Sequence, residues 1–569
     1  MLNDKPALYF PRLSGPPAEE EPLRDNMNPR MLLLIVMVLL GFSACGGGGS
    51  STTPPPITYT IGGSVSALSG SGLVLQDNGG DNLPVSADGT FTFRTALPSG
   101  STYKVTVAVQ PSSPAQTCGV TLGSGTVTAN VTNIGVDCGH NEWTWEGGAN
   151  AVNQAGTYGT LWTPAPGNGP GARSGSAIWT DTSGNLWLFG GGGYDSTGLV
   201  AGALNDLWKY SAGEWTWMGG ANVVNQAGTY GTLGTPAPGN VPGARSGPVI
   251  WTDASGNVWL FGGVGIDSTG TYGELNDLWT YSAGQWAWMG GANVGMQKGT
   301  YGTQGTPAPG NIPGARADAV GWTDGSGNFW LFGGIGCDSI GNCGVLNDLW
   351  KYSAGEWTWM SGANVENQVG TYGTQGTPAP GNLPGARDGA IAWTDASGNI
   401  WLFGGLGYDS TGTAGGGFLN DLWKYSAGEW TWMGGSNVAN QKGTYGTQGV
   451  PAPGNVPGAR SKSVILTDAT GNVWLFGGFG YDSTGAAAQA LNDLWKYSAG
   501  QWTWMGGSNI INQLGTYGSL GVPAPGNVPG SRYSSVGWTD ADGNFWLFSG
   551  YGFSAATLGS LNDVWKFEP

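Results

Sequence analysis

The chain has 569 residues, a formal net charge of −17 and only 10% charged residues, against 108 Gly and 30 Trp. That acidity excludes a nucleic-acid partner, because a phosphate backbone calls for a basic face. Clusters of Gly, Asn, Asp and Pro between short apolar runs exclude a helical bundle and read as all-β with many tight turns.

Residues 1–26 contain Pro16-Pro17 and the acidic run Glu19-Glu20-Glu21, a poor start for an export signal. They read as a doubtful upstream extension, with translation beginning at Met27 or Met31. Residues 31–44 are apolar but too short to span a bilayer comfortably. Arg30 precedes them, so 27–44 has the shape of a secretory signal. Phe42-Ser43-Ala44-Cys45 resembles a bacterial lipobox, with Phe42 in place of the usual Leu. The resemblance implies that Cys45 is lipidated and becomes the mature N-terminus. Gly46 follows, not the Asp that retains such proteins at the inner membrane, so an outer-membrane or cell-surface anchor is expected. An ordinary cleaved signal peptide or a short membrane anchor is the alternative. Residues 45–56, GGGGSSTTPPP after the Cys, form a flexible and then stiff tether.

With Cys45 taken, Cys118 and Cys138 form one local pair and Cys337 and Cys343 another. Both are expected as disulfides in an oxidising compartment. A metal site at Cys337 and Cys343 is the alternative, but the repeats hold no His and no second CxxC.

Residues 57–140 show short alternating strands separated by Gly and Asp-Gly turns. The strings ADGTFTF and TYKVTV resemble the carboxypeptidase-regulatory or transthyretin-like β-sandwich modules of bacterial surface proteins. The resemblance implies a spacer or weak binder. His140, the chain's single His, lies at the junction with the repeats and reads as a surface residue.

From 141 to 569 a unit of about 72 residues occurs six times, opened by Trp143, Trp215, Trp286, Trp357, Trp430 and Trp502. Each copy holds four strand-like runs, which suggests one propeller blade per repeat. In the second copy they are Ser246 to Trp251, Val258 to Phe261, Asp277 to Tyr281 and Trp286 to Met289. The Gly doublet after the second run (Gly190-Gly191, Gly262-Gly263 and their equivalents), the Tyr and Trp of Tyr210 and Trp217, and an Arg opening every first run resemble the kelch repeat. The resemblance implies a galactose oxidase-like propeller. The last copy departs from it with Ser549-Gly550 and Phe567, and the period exceeds the roughly 50 residues usual for kelch. The chain enters on a fourth strand, 143–145, and leaves on a third. These two are expected to pair and to close the last blade, removing an open sheet edge. The expected fold is thus all-β: a six-bladed kelch-type β-propeller preceded by a small β-sandwich domain. Trp then fills the space between blades.

Antiparallel strands put the loops joining strands two to three and four to one on the same face. Those loops are long, about 14 and about 24 residues, where the opposite turns are minimal; such length is uncommon without a binding role. Three kinds of residue stand out on that face. Arg173, Arg245, Arg316, Arg387, Arg460 and Arg532 are expected to ring the channel mouth, as anion ligands or as buried partners of the Asp in each LND step. Tyr158, Tyr230, Tyr301, Tyr372, Tyr445 and Tyr517 are expected either as binding surface or as pins for their own loops. Trp162 stands where copy two has Gly234 and could stack on a sugar. Glu274, Glu366, Asp318 and Asp388 also break the repeat.

No catalytic residue, cofactor or metal is assigned. A Ser-His-Asp device and the His-ligated copper of galactose oxidase are excluded in a propeller without His, and one Asp in each DSTG loop is short of a calcium cage. The expected function is a monomeric, lipid-anchored surface protein that recognises an extracellular glycan or a surface protein through its long-loop face. Membrane contact is through the lipid alone. Sialic-acid mutarotases are six-bladed kelch propellers, so a sugar-processing enzyme of that kind is the alternative.

Overall fold

Alternating apolar residues and Gly-rich turns produce strands throughout, and no helix occurs among the described residues. The computed structural model describes residues 56–66, 68, 70–112, 118–138, 142–412, 416–524 and 526–569. The upstream extension, the signal segment, Cys45, all but the last tether residue and His140 lie outside them. Among the described residues no helix is long and apolar enough to cross a membrane.

The first part is two four-stranded sheets and a two-stranded pair of Thr58–Tyr59 with Leu97–Pro98. One contains Gly89–Thr92, Ile61–Ser66, Val131–Asp137 and Gly119–Thr121; the other contains Asp81–Val85, Leu73–Asp77, Thr102–Val109 and Ser124–Thr126. Their inner residues, including Ile61, Leu75, Phe93, Val105 and Ile134, bury one shared core. The Cys118–Cys138 disulfide lies within it, and a second disulfide joins Cys337 to Cys343.

Each later repeat folds into an antiparallel unit of four strands. In blade one these are Arg173–Ser174 continued by Ala177–Thr180, then Leu186–Tyr194, Ala201–Ser211 and Glu214–Gly219. In blade six the fourth strand comes from the other end of the domain: Glu142–Gly147 pairs antiparallel with Leu558–Glu568, setting Trp143 opposite Phe567 and Trp145 opposite Trp565. The six first strands contact one another in sequence, and Val536–Thr539 of blade six returns to Ala177–Thr180 of blade one. The ring is closed.

Packing between blades explains the Trp content. Ala177, Trp179, Phe189 and Leu207 of blade one meet Leu260, Trp279 and Trp286 of blade two in one apolar cluster, and every other junction repeats it. Trp208, Trp279, Trp350, Trp423, Trp495 and Trp565 are fully buried. At roughly 25 cal/mol per Å² over 150–250 Å², each contributes at most about 4–6 kcal/mol.

Two loop expectations are corrected. The Gly doublet does not end the second strand. It forms a bulge inside a strand that runs on to Tyr194, so the two-to-three loop shrinks to residues 195–200. The four-to-one loop does not stand free either. It runs outward and lies against the fourth strand of its own blade, where Gly234 N–H donates to Trp288 O at 2.7 Å and Gly305 N–H to Trp359 O at 2.8 Å. The same bond recurs from Trp162 to Trp217, Gly376 to Trp432, Gly449 to Trp504 and Gly521 to Trp145. These loops strap the outer edge of every blade, an edge that would otherwise template pairing with another chain.

Candidate functional site

The Arg that opens each first strand lies between the Asp of the third strand and the Tyr of the long loop. In blade two, the Arg245 guanidinium donates to both carboxylate oxygens of Asp277 at 2.6 and 2.7 Å and to the carbonyls of Gly243 and Gly262. The Tyr230 hydroxyl and the Trp279 indole N–H also donate to Asp277, each at 2.7 Å. All six blades repeat this ion pair. Both partners are sealed from solvent. Burial opposes the Arg245 charge, but Asp277 outweighs it and holds the guanidinium above its ordinary range. Burial, reinforced by Asp277, likewise pushes the Tyr230 hydroxyl well up.

For both sets the ligand-binding alternative gives way to the structural one. Arg173, Arg245, Arg316, Arg387, Arg460 and Arg532, with Tyr158, Tyr230, Tyr301, Tyr372, Tyr445 and Tyr517, are interior residues with their donors spent inside the blade. A buried guanidinium must have such partners, and two-pronged pairing with a carboxylate is its best geometry. The repeated Asp residues are similarly occupied. Asp181 accepts from Ser183 N–H, Asn185 N–H and the Trp187 indole, and Asp195 accepts from Thr197 and Val224 N–H. Burial works against these two charges, yet their hydrogen bonds hold both carboxyls below their ordinary range.

Two residues beyond each Arg, the first strand breaks at a left-handed residue: Gly175, Gly247, Asp318, Gly389, Lys462 and Ser534, with φ between 52° and 65°. Their backbones form a closed belt around the axis. Gly247 N–H donates to Gly175 O, Asp318 to Gly247, Gly389 to Asp318, Lys462 to Gly389, Ser534 to Lys462 and Gly175 to Ser534, at 2.7 to 3.0 Å. Six strands at roughly 4.8 Å spacing put this backbone only about 4–5 Å from the axis. Once atomic radii are allowed for, the passage is narrower than a sugar ring, and the long-loop side becomes a blind cup.

The floor of that cup is where the copies differ. Lys462 of blade five reaches across Gly389 of blade four, and its Nζ donates to Asp318 Oδ2 of blade three at 2.7 Å. A Cβ at Gly389 would stand 2.8 Å from Lys462 Cγ, so glycine there leaves the crossing open. The Lys462 and Asp318 side chains remain 32% and 25% exposed, which suits groups on a cup floor. Asp318 holds the Lys462 ammonium above its ordinary range, against burial and with help from Asp388.

Asp388 follows Arg387 directly. It is 6% exposed, takes no hydrogen bond on its carboxyl from any described residue, and its oxygens are still reached by solvent. Burial pushes its pKa up to about 7, with Lys462 opposing and Asp318 reinforcing. Beside these charges runs an aromatic arc across blades four to six. The Phe418 and Phe479 ring centroids are 5.6 Å apart, Phe479 and Tyr533 5.1 Å, and Tyr533 and Tyr551 5.6 Å. Glu274 stands at the rim in the cross-strand row that continues Ser246 and Val264.

The other expected residues lie apart from the cup. Trp162 is 68% exposed at φ 62°, and its indole N–H donates to Met218 O at 2.8 Å. Gln304, Gln375 and Gln448 make the equivalent bond from the preceding position, so the exposed Trp162 ring ties its strap to the fourth strand. Glu366 faces the buried Asp338, which pushes its carboxyl up. A cleft of about 430 Å³ beneath the strap of blade three, lined by Lys298, Asn311 and Trp357 among others, belongs to the loop packing and not to the cup.

Sequence reasoning singled out Asp318 and Asp388 but missed Lys462 and Tyr533. The signal was present in the column after Arg, which reads Ser, Ser, Ala, Asp, Ser, Tyr over the six copies, and in the next, which reads Gly, Gly, Asp, Gly, Lys, Ser.

No protein-family profile matches the chain, and no curated protein does. Solved structures with a similar fold include that of YjhT, 12% identical over 71% of this chain and 95% of that one with a TM-score of 0.38. They also include a copper-bound fungal alcohol oxidase of the AA5 family, 14% identical over 72% and 77% with a TM-score of 0.39. A third, a Dyadobacter fermentans protein of unknown function, is 10% identical over 75% and 97% with a TM-score of 0.38. At such identities the likeness concerns fold alone.

Proposed function

We propose that this is an exported, lipid-anchored surface protein whose propeller binds an extracellular glycan on its long-loop face. The observation that carries the reading is the axial cup. Charge that the sixfold repeat does not neutralise internally, together with an aromatic arc, gathers on one concave floor. Aromatic faces beside a few polar groups suit the alternating apolar and hydroxyl surfaces of a sugar. The two disulfides agree with an oxidising compartment.

A glycan array probed with the full chain tests this. Capture of a defined glycan class is expected, and its loss in a Tyr533→Ala, Phe479→Ala variant. An array that captures nothing, while a surface-protein pull-down succeeds, would replace the glycan with a protein partner.

One feature favours a sugar-processing reading, such as a mutarotase-like epimerase: burial pushes the Asp388 carboxyl up to about 7, beside the Lys462 ammonium. Such a group can give and take a proton at working pH. Acceleration of anomer exchange by the wild-type chain, followed by NMR and lost in Asp388→Asn, would establish that activity.

A further inference from the structure

Resting on the glycan reading, we propose that the axial cup selects a sugar carrying a free amine, with the ammonium group on Asp388 and the pyranose against Phe479 and Tyr533. The selection follows from what each charged group on the cup floor has left to offer. The six Arg are paired inside their blades, so they supply no anion site. Lys462 is the cation at the belt, and its ammonium is held by Asp318 at 2.7 Å. An acidic sugar therefore meets a cation already paired and two further carboxyls, Asp388 and Glu274, that repel it.

Asp388 is the group on the floor that no described residue supplies with a hydrogen bond, the nearby Lys462 ammonium acting on it through charge alone. More than nine-tenths of it is buried and no described residue donates to its carboxyl, yet solvent still reaches its oxygens. A carboxylate in that position is costly until a donor arrives. An ammonium supplies three donors and the compensating charge together, whereas a hydroxyl supplies one donor and no charge. The aromatic arc adds a surface for the face of the sugar ring. An N-acetyl group removes the charge and so removes the attraction to Asp388.

The groups facing Asp388 settle its pH behaviour. Lys462 from blade five favours the ionised form, and burial and Asp318 from blade three oppose it. Pairing needs the ionised carboxyl and the protonated amine together, so affinity falls as Asp388 gains its proton on the acid side and as the sugar amine loses its own on the alkaline side.

Isothermal titration calorimetry on the full chain tests the proposal, with a chitosan tetrasaccharide against a chitin tetrasaccharide of equal length. The free-amine oligomer is expected to bind at least about tenfold tighter. Its affinity should pass through a maximum with pH, falling on the acid side as Asp388 is protonated and on the alkaline side as the oligomer's own amines lose their charge. Asp388→Asn should abolish both the preference and the acid-side loss of affinity, with near-UV circular dichroism confirming the fold. A wild-type pH profile for the free-amine oligomer that the chitin oligomer does not share needs no variant and serves as a second reading. Equal affinity for the two oligomers, no binding of either, or a preference that survives in Asp388→Asn overturns the proposal. Capture of neutral glycans on the array would leave the broader glycan reading intact while this inference fails.

Discussion

Asp388 should weaken the protein at neutral pH, and removing its charge should strengthen it. Burial raises its carboxyl from an ordinary 3.8 to about 7, so the folded chain holds a proton that the unfolded chain has released across that interval. Stability from this group is complete below about pH 4 and is lost as pH rises through about 7. Three pKa units at about 1.4 kcal/mol each put the loss at no more than about 4 kcal/mol. Asp388→Asn keeps the shape and cannot ionise, so its advantage over the wild type should grow from about pH 4 to about pH 8. At about 2.1 cal/mol/K per residue over roughly 430 residues, 4 kcal/mol corresponds to a midpoint shift of about 4 °C. Thermal and urea unfolding of the two proteins across the pH series provides the measurement. A difference in midpoint that stays constant with pH would refute the reasoning, because it would mean that the Asp388 carboxyl is not desolvated in the folded state.

Two further substitutions separate architecture from site. Arg245→Met leaves Asp277 buried without its counter-charge and should cost about 3–5 kcal/mol in urea unfolding, whereas Tyr230→Phe removes one hydrogen bond to a carboxylate and should cost about 1.5–3 kcal/mol. Neither should alter ligand selectivity in a chain that still folds. Gly389→Ala forces a side chain onto φ 59° and into Lys462 Cγ, so it should cost about 1–2 kcal/mol and also weaken binding at the cup by displacing Lys462 from Asp318.

The all-β class was legible because period and strand pattern are local. Four apolar runs per repeat, with Gly and Asp-Gly turns between them, leave few other solutions. The Arg and the LND Asp were legible as a pair because they recur in equal number on one face. Their complete burial was not, since that depends on the neighbouring blade closing over them. The long loops misled for a similar reason. Loop length is visible in sequence, but whether a loop stands free or lies along its own outer strand is decided by backbone donors such as Gly234 N–H meeting carbonyls such as Trp288 O more than 50 residues away. The belt could not be read at all. Gly, Asp, Lys and Ser share no side-chain chemistry, and what unites them is a left-handed backbone that only ring closure requires.

That backbone requirement also explains why the site lies where it does. The Arg, Asp and Tyr that Arg245, Asp277 and Tyr230 represent are satisfied in every blade, so they have nothing left for a ligand. A group that breaks the repeat is not bound to that arrangement. The belt permits such breaks because its bonds are made by main-chain N–H and C=O, whatever side chain is attached. The exchange still has a cost. Glycine takes φ near 60° freely, whereas an L residue there is strained by about 1–2 kcal/mol, and Lys is less suited to it than Asp. Lys462 at φ 56° and Asp318 at φ 53° accept that strain and meet in one ion pair across Gly389, beside a carboxyl to which no described residue donates a hydrogen bond. Strain, a crossing ion pair and a desolvated carboxyl located together on one concave floor are physical grounds for placing the ligand there.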